Sequence, residues 1–246
     1  MKRFLLLQLR PEADASDGEY AAFLAKGGLT DAEVHRVCLD REPLPEDLAL
    51  GDYAGVIVGG GPGCVSDAPD SKDATEAKIE AEILSLMPQI TEQDVPFMGC
   101  CYGIGILGHH LGAEVSKRRY GEPVGPVSCR VTDAGADDPL VAGLPGRFDA
   151  FVGHKEAVQT LPEGCVHLLA SDPCPYQMIR YGQNVYATQF HPEADGDVFE
   201  DRIRIYRHRG YFDPETADDL IAMCQASDVT VPQQILHRFV ARYSGR

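Results

Sequence analysis

The stretch from residue 96 to 108, PFMGCCYGIGILG, sets two adjacent cysteines between a short apolar run and a segment punctuated by glycines. The run ending at Cys100 predicts a buried strand, and the residues from Tyr102 onward predict a helix. Between them, Gly99-Cys100-Cys101-Tyr102-Gly103 has the small-x-nucleophile-x-small spacing of a strand-to-helix elbow. Such an elbow holds its middle side chain, here Cys101, at the carboxyl edge of a sheet over the amino end of the next helix. Cys100 belongs to the strand and points into the core. The helix dipole favours a thiolate at that place, so the frame predicts a lowered pKa for Cys101.

The neighbouring segments repeat the pattern. Residues 4–9 (FLLLQL), 34–39 (VHRVCL) and 55–60 (GVIVGG) read as further buried strands closed by turn residues. Residues 70–87 predict a helix capped by Asp70 or Ser71, with Ile79, Ile83, Leu86 and Met87 on one face. Strands alternating with helices imply βαβ units and a mostly parallel sheet covered on both faces. After residue 115 the texture becomes hairpin-rich, with turns such as Gly182-Gln183-Asn184, which adds an antiparallel section to the sheet. Ile235, Leu236, Phe239, Val240 and Tyr243 recur at helical spacing and predict a closing helix. No linker or repeat divides the chain. The simplest organisation is one domain over 1–246, with a core at 1–195 and a helical extension at 196–246.

Composition narrows the function. Of the 246 residues, 22 are Lys or Arg and 38 are Asp or Glu, a net charge of −16. That balance argues against nucleic-acid or anionic-membrane partners, which call for a basic surface. The eight cysteines are scattered and form no C-x-x-C pair, which removes the common zinc and redox-motif readings. Adjacent His109 and His110 point about 100° apart on a helix and make no metal site. The apolar run at the N-terminus is too short for a signal peptide or membrane span, so a cytoplasmic protein is expected.

A thiol nucleophile needs a base, and the base an orienting acid. The segment ATQFHPEAD supplies both: His191 and Glu193 are two residues apart and project to the same side of an extended chain. The glycine cluster GVIVGGGPG at 55–63 follows a strand and lacks the G-K-[ST] of a nucleotide-binding loop. It suits an oxyanion hole built from the N–H groups of Gly61 and Tyr102.

The ordered set GGGPG, GCCYG and QFHPE resembles the class I, triad-type glutamine amidotransferases, and is most similar to the glutaminase half of GMP synthases and its stand-alone relatives. The resemblance covers roughly residues 1–195. It implies a flavodoxin-like α/β sandwich that cleaves the side-chain amide of glutamine through a γ-glutamyl thioester and releases ammonia. By matching position, Cys101 is the nucleophile, His191 the base and acid, and Glu193 the orienter; no cofactor and no metal is implied. His154 and Lys155 fall where relatives carry a substrate-facing loop, and Gly60 and Gly105 are further substrate-side candidates. Gly105 stands where the family usually has a substrate-holding glutamine. The smaller residue predicts a wider pocket and opens the alternative of a γ-glutamyl peptidase acting on glutathione-like compounds. No synthetase half is present, so delivered ammonia requires a separate acceptor protein. Arg202, Arg204, Arg207 and Arg209 read either as a docking or anion-binding surface or as a solvated helix face. A non-catalytic regulatory subunit is the alternative from another class.

Overall fold

The computed structural model describes residues 2–245. Its strands are β1 (Phe4–Gln8), β2 (Val34–Cys38), β3 (Gly55–Val58), β4 (Phe97–Cys100), β5 (Val115–Ser116), β6 (Glu122–Val131), β7 (Arg147–His154), β8 (Ala157–Val158), β9 (Cys165–Ala170), β10 (Met178–Tyr181) and β11 (Val185–Thr188). Its α-helices are α1 (Ala13–Gly27), α2 (Ala74–Glu92), α3 (Tyr102–His110), α4 (Asp133–Ala136), α5 (Gly196–Tyr206), α6 (Ala217–Ala226) and α7 (Val231–Tyr243).

Nine strands form one sheet in the order β2-β1-β3-β4-β11-β10-β9-β6-β7, and β5 pairs with β8 apart from it. The five strands from β2 to β11 are mutually parallel, and β10, β9, β6 and β7 extend the sheet antiparallel. The flavodoxin-like sandwich expected from the sequence is present. One detail differs from a simple run of added hairpins: β11 turns back from β10 and inserts parallel to β4, pairing Thr188 with Cys100. That pairing brings the end of β11 beside the elbow.

Period-2 alternation divides β1 between two cores, which is why it reads as an unbroken apolar run. Phe4 and Leu6 face Phe23 of α1 and Ile235, Leu236 and Phe239 of α7. Leu5 and Leu7 face Ile79, Ile83 and Met87 of α2 and Ile106 of α3. Phe239 is fully buried, worth about 2–3 kcal/mol in transfer free energy. A third cluster joins Phe151 of β7 to Phe199 and Ile203 of α5 and to Cys224 of α6.

Local details depart from the sequence reading. The cap of α2 is Asp73, whose side chain accepts from the N–H groups of Thr75 and Glu76 while Glu76 reaches back to Asp73. Asp70 and Ser71 instead belong to a separate 3-10 turn over Pro69–Ser71. The helix runs on through Pro88 because the next turn buries Ile90 completely. Helix α1 had no clear sequence signal: its buried face carries Ser16 and Glu19 among alanines.

The strand order reverses between β1 and β3, the place where open α/β sheets gather ligands at their carboxyl ends. Arg10 follows β1, the glycine cluster follows β3, Cys101 follows β4 and His191 follows β11. All four converge on one edge of the sheet.

Candidate active site

Cys101 sits at φ 54°, ψ −87°, a conformation that costs a non-glycine residue of order 1–3 kcal/mol and persists only when its surroundings enforce it. Here they do. The Cys101 N–H donates to the Thr188 carbonyl at 2.8 Å, and Cys100 is locked in the sheet with no exposure. A Cβ on Gly99 would lie 2.9 Å from the Gly103 carbonyl carbon, so glycine is what lets strand and helix meet this closely. Cys101 and Tyr102 open onto a cavity of about 350 Å³, whose other walls include Gly61, Gly105, Lys155 and Glu156. Among the described residues, nothing takes up the backbone N–H of Gly61 or of Tyr102.

The thiol is not pre-ionised, contrary to the sequence expectation. Burial pushes the Cys101 pKa up to about 12, and the attraction of the nearby Arg10 guanidinium only partly offsets this. At rest Cys101 is a protonated thiol, so a base must take its proton at the moment of attack. His191 is fixed by its neighbours. Its backbone N–H donates to the Phe151 carbonyl at 3.0 Å, its ring meets Phe199 edge-on, and Nδ1 lies 2.9 Å from Oε1 of Glu193. Burial lowers the His191 pKa, the Glu193 carboxylate works against that, and Arg202 reinforces it, so the ring is neutral near pH 7. No hydrogen bond joins the Cys101 sulfur to the ring among the described residues; such contacts commonly tighten only when substrate is bound.

Glu193 is fully buried, which by itself would raise its pKa. His191 and the Arg202 guanidinium, each giving it a hydrogen bond, hold it well below the usual carboxylate range instead. Arg202, on α5, donates from Nη2 to the same Oε1 at 2.7 Å. A second buried carboxylate, Glu19, lies 3.6 Å from that Nη2 and 3.1 Å from Nε of Arg10. Glu19 also accepts the N–H of Gly60 at 3.2 Å. Two carboxylates and two guanidiniums thus alternate beneath the histidine, linking β1, α1, the glycine loop and α5.

The remaining sequence candidates fall at different places. Gly60 backs the histidine: a Cβ there would lie 2.7 Å from Cε1 of His191 and 2.8 Å from Nη2 of Arg10. His154 lines the cavity, but both ring nitrogens are engaged, with the Glu156 carbonyl at 2.8 Å and Oε2 of Glu122 at 2.7 Å. Lys155 is an exposed rim residue with Nζ 5.1 Å from the centre of the Tyr211 ring. Gly105 does face the cavity, but it leaves no widened space. A Cβ at 105 would lie 3.0 Å from Oε1 of Glu156, whose carboxylate accepts the N–H groups of Val65 and Ser66 at 2.9 and 2.8 Å. The arginine cluster divides between one buried residue and three on the surface. Arg202 points inward to Glu193, whereas Arg204, Arg207 and Arg209 pair singly with Glu200, Asp218 and Glu12.

Sequence reasoning missed Arg10, Glu19, Glu156 and Tyr211. Glu19 had a signal, being a charged residue placed among apolar neighbours in a helix facing the sheet. The others become visible only once the chain is folded.

The model of the family described as glutamine amidotransferase class-I matches residues 21–205. The chain belongs to this family. Class-I glutamine amidotransferases are Cys-His-Glu amidohydrolases, in keeping with the elbow thiol and the His-Glu pair. Curated relatives include the glutamine-hydrolyzing GMP synthases of Thermosipho africanus, 35% identical over 156 residues, and of Aquifex aeolicus, 31% identical over 159. These alignments cover 61% and 63% of this chain but only 26% and 27% of the relatives, so the amidotransferase matches about a quarter of their length. Among solved structures, a Thermotoga maritima glutamine amidotransferase superimposes with a TM-score of 0.70 at 20% identity, covering 98% of this chain and 99% of its own. The glutamine amido transferase of Methylobacillus flagellatus gives 0.69 at 23%, covering 99% and 94%. At those identities the likeness speaks for the fold. No helix among the described residues is long and apolar enough to cross a membrane.

Proposed function

We propose that this amidotransferase hydrolyses the side-chain amide of glutamine and that Cys101, His191 and Glu193 carry the reaction. Cys101 attacks the amide carbon while His191 takes the thiol proton through Nε2. The oxyanion so formed is received by the N–H groups of Gly61 and Tyr102, each such donor being worth about 10²–10³ in rate. The tetrahedral intermediate collapses as His191 returns the proton to the leaving nitrogen. Ammonia departs, and a γ-glutamyl thioester remains. Water, deprotonated by His191, resolves the thioester to glutamate. Glu193 holds the ring so that Nε2 is the free nitrogen. Glu156 makes no ion pair among the described residues, and it offers a cavity-lining carboxylate to the substrate's α-ammonium group.

The observation that carries this reading is the enforced positive φ at Cys101, because strain at a thiol elbow open to a cavity has no packing purpose. The test is product release from purified protein given glutamine, with Cys101→Ala as control. Ammonia release abolished in the variant is the expected result; equal release from both proteins refutes the thioester route.

A second reading, hydrolysis of larger γ-glutamyl compounds, draws support from an adjoining cavity of about 370 Å³. It shares Gly61, Pro62, Gly63, Tyr102, Lys155 and Tyr211 with the first and could seat a leaving group bigger than ammonia. Turnover of a γ-glutamyl dipeptide in preference to glutamine would favour it. Because these relatives are glutamine-hydrolyzing GMP synthases, we also infer that ammonia made at this site is passed to an ammonia-using synthetase.

A further inference from the structure

Tyr211 belongs to the connection after α5, beyond the residues matched by the family model, yet it closes over the cavity that holds Cys101. Its ring is part of the wall of three adjoining cavities and packs against Tyr206 at a centroid distance of 5.1 Å. Its hydroxyl is withdrawn from solvent and has no hydrogen-bond partner among the described residues. Leaving a buried hydroxyl unpaired is costly, and a ligand atom that reached it would recover that cost. Beside it, Lys155 holds its ammonium over the ring and reaches the Gly210 carbonyl at 3.5 Å, clasping this connection to the turn that carries Glu156. A carboxylate at 156 and an ammonium at 155, on two successive residues lining one cavity, suit a zwitterion.

We propose that Tyr211 is a substrate-contacting residue whose phenol donates a hydrogen bond to the α-carboxylate of a γ-glutamyl substrate, with Lys155 supplying the countercharge. The inference rests on the glutaminase reading above. It makes a free α-carboxylate a condition of good binding, enforced from outside the segment that the family shares.

The test uses full-length protein in the Cys101→Ala background and measures binding of L-glutamine and of its α-methyl ester by calorimetry. Tyr211→Phe keeps the ring and removes one hydroxyl; Lys155→Met is the second variant, and melting curves confirm folding. A hydrogen bond to a charged group corresponds to roughly tenfold or more in affinity. Tyr211→Phe is therefore expected to weaken glutamine binding about tenfold and to change ester binding less than twofold, with Lys155→Met acting in the same direction. Equal glutamine binding with and without the hydroxyl overturns the inference. Equal losses for glutamine and ester overturn its assignment to the carboxylate. If the Cys101→Ala protein binds neither glutamine nor a γ-glutamyl dipeptide, the glutaminase reading fails, and this inference with it.

Discussion

Replacing Arg202 with Met should separate the structural from the catalytic duty of the buried charge network. Arg202 gives one 2.7 Å hydrogen bond to Glu193 and lies 3.6 Å from Glu19, and both carboxylates are fully enclosed. Removing one partner of a buried pair costs about 3–5 kcal/mol, because the remaining charge is stranded. The low end applies here. The Nε and Nη1 atoms of Arg202 are buried without partners among the described residues, so the native protein already bears part of the guanidinium's desolvation cost, which the variant sheds. A loss of about 3 kcal/mol lowers the melting temperature by roughly 6–12 °C for a chain of this size. Since the interaction depends on ionised Glu193, whose pKa is depressed in the fold, the stability gap should be full at neutral pH and shrink as acid protonates Glu193. The kinetic effect has its own sign. Arg202 is one of the groups that lower the His191 pKa, so without it the ring protonates more readily. In the parent protein, activity should fall on the acid side with a midpoint below the ordinary histidine value of about 6.5. In Arg202→Met that limb should move to higher pH. Melting curves across pH and a pH profile of kcat/KM for glutamine test both halves. A variant melting within 2 °C of the parent, with an unmoved acid limb, would refute the reasoning.

Gly60→Ala places a Cβ 2.7 Å from Cε1 of His191, and a displacement of that size should lower kcat about 100-fold while leaving the melting temperature within a few degrees, read by steady-state kinetics beside a thermal melt. Cys101→Gly should be inactive yet melt a few degrees above Cys101→Ala, since glycine removes the strain at φ 54°. Equal melting of the two would show that the elbow stores no strain. Restoring the family's residue with Gly105→Gln should harm, not help. It displaces the Glu156 carboxylate from the Val65 and Ser66 N–H groups, costing about 2–4 kcal/mol in stability and raising KM for glutamine, whereas Gly105→Ala should be nearly neutral in melting.

Much of this site was legible because its parts are local. An elbow requires small residues two positions either side of Cys101, and an orienting carboxylate two residues beyond His191 shares its side of an extended chain. What stayed hidden is assembled by the fold from distant positions. Gly105 and Glu156 are 51 residues apart in sequence, so nothing local shows that a carboxylate fills the space a side chain at 105 would claim. Arg202 was visible only as one of four arginines, three of which are surface pairs. The thiol's pKa was read from the helix dipole, a local effect, whereas burial dominates it. Helix α1 escaped notice because the polar residues it buries serve the site instead of the core.

The contact between Arg202 and Glu193 also bears on the order in which the protein becomes active during synthesis. Cys101, His191 and Glu193 have all been made once the ribosome passes residue 193, but the guanidinium that settles the carboxylate comes nine residues later and is positioned by α5. A nascent chain halted between those points holds a bare carboxylate in an unfinished interior. Its histidine then has no fixed orientation against the thiol. Under the proposed reaction, hydrolysis therefore begins only after α5 has folded down, and copies ended before Arg202 stay silent instead of spilling ammonia.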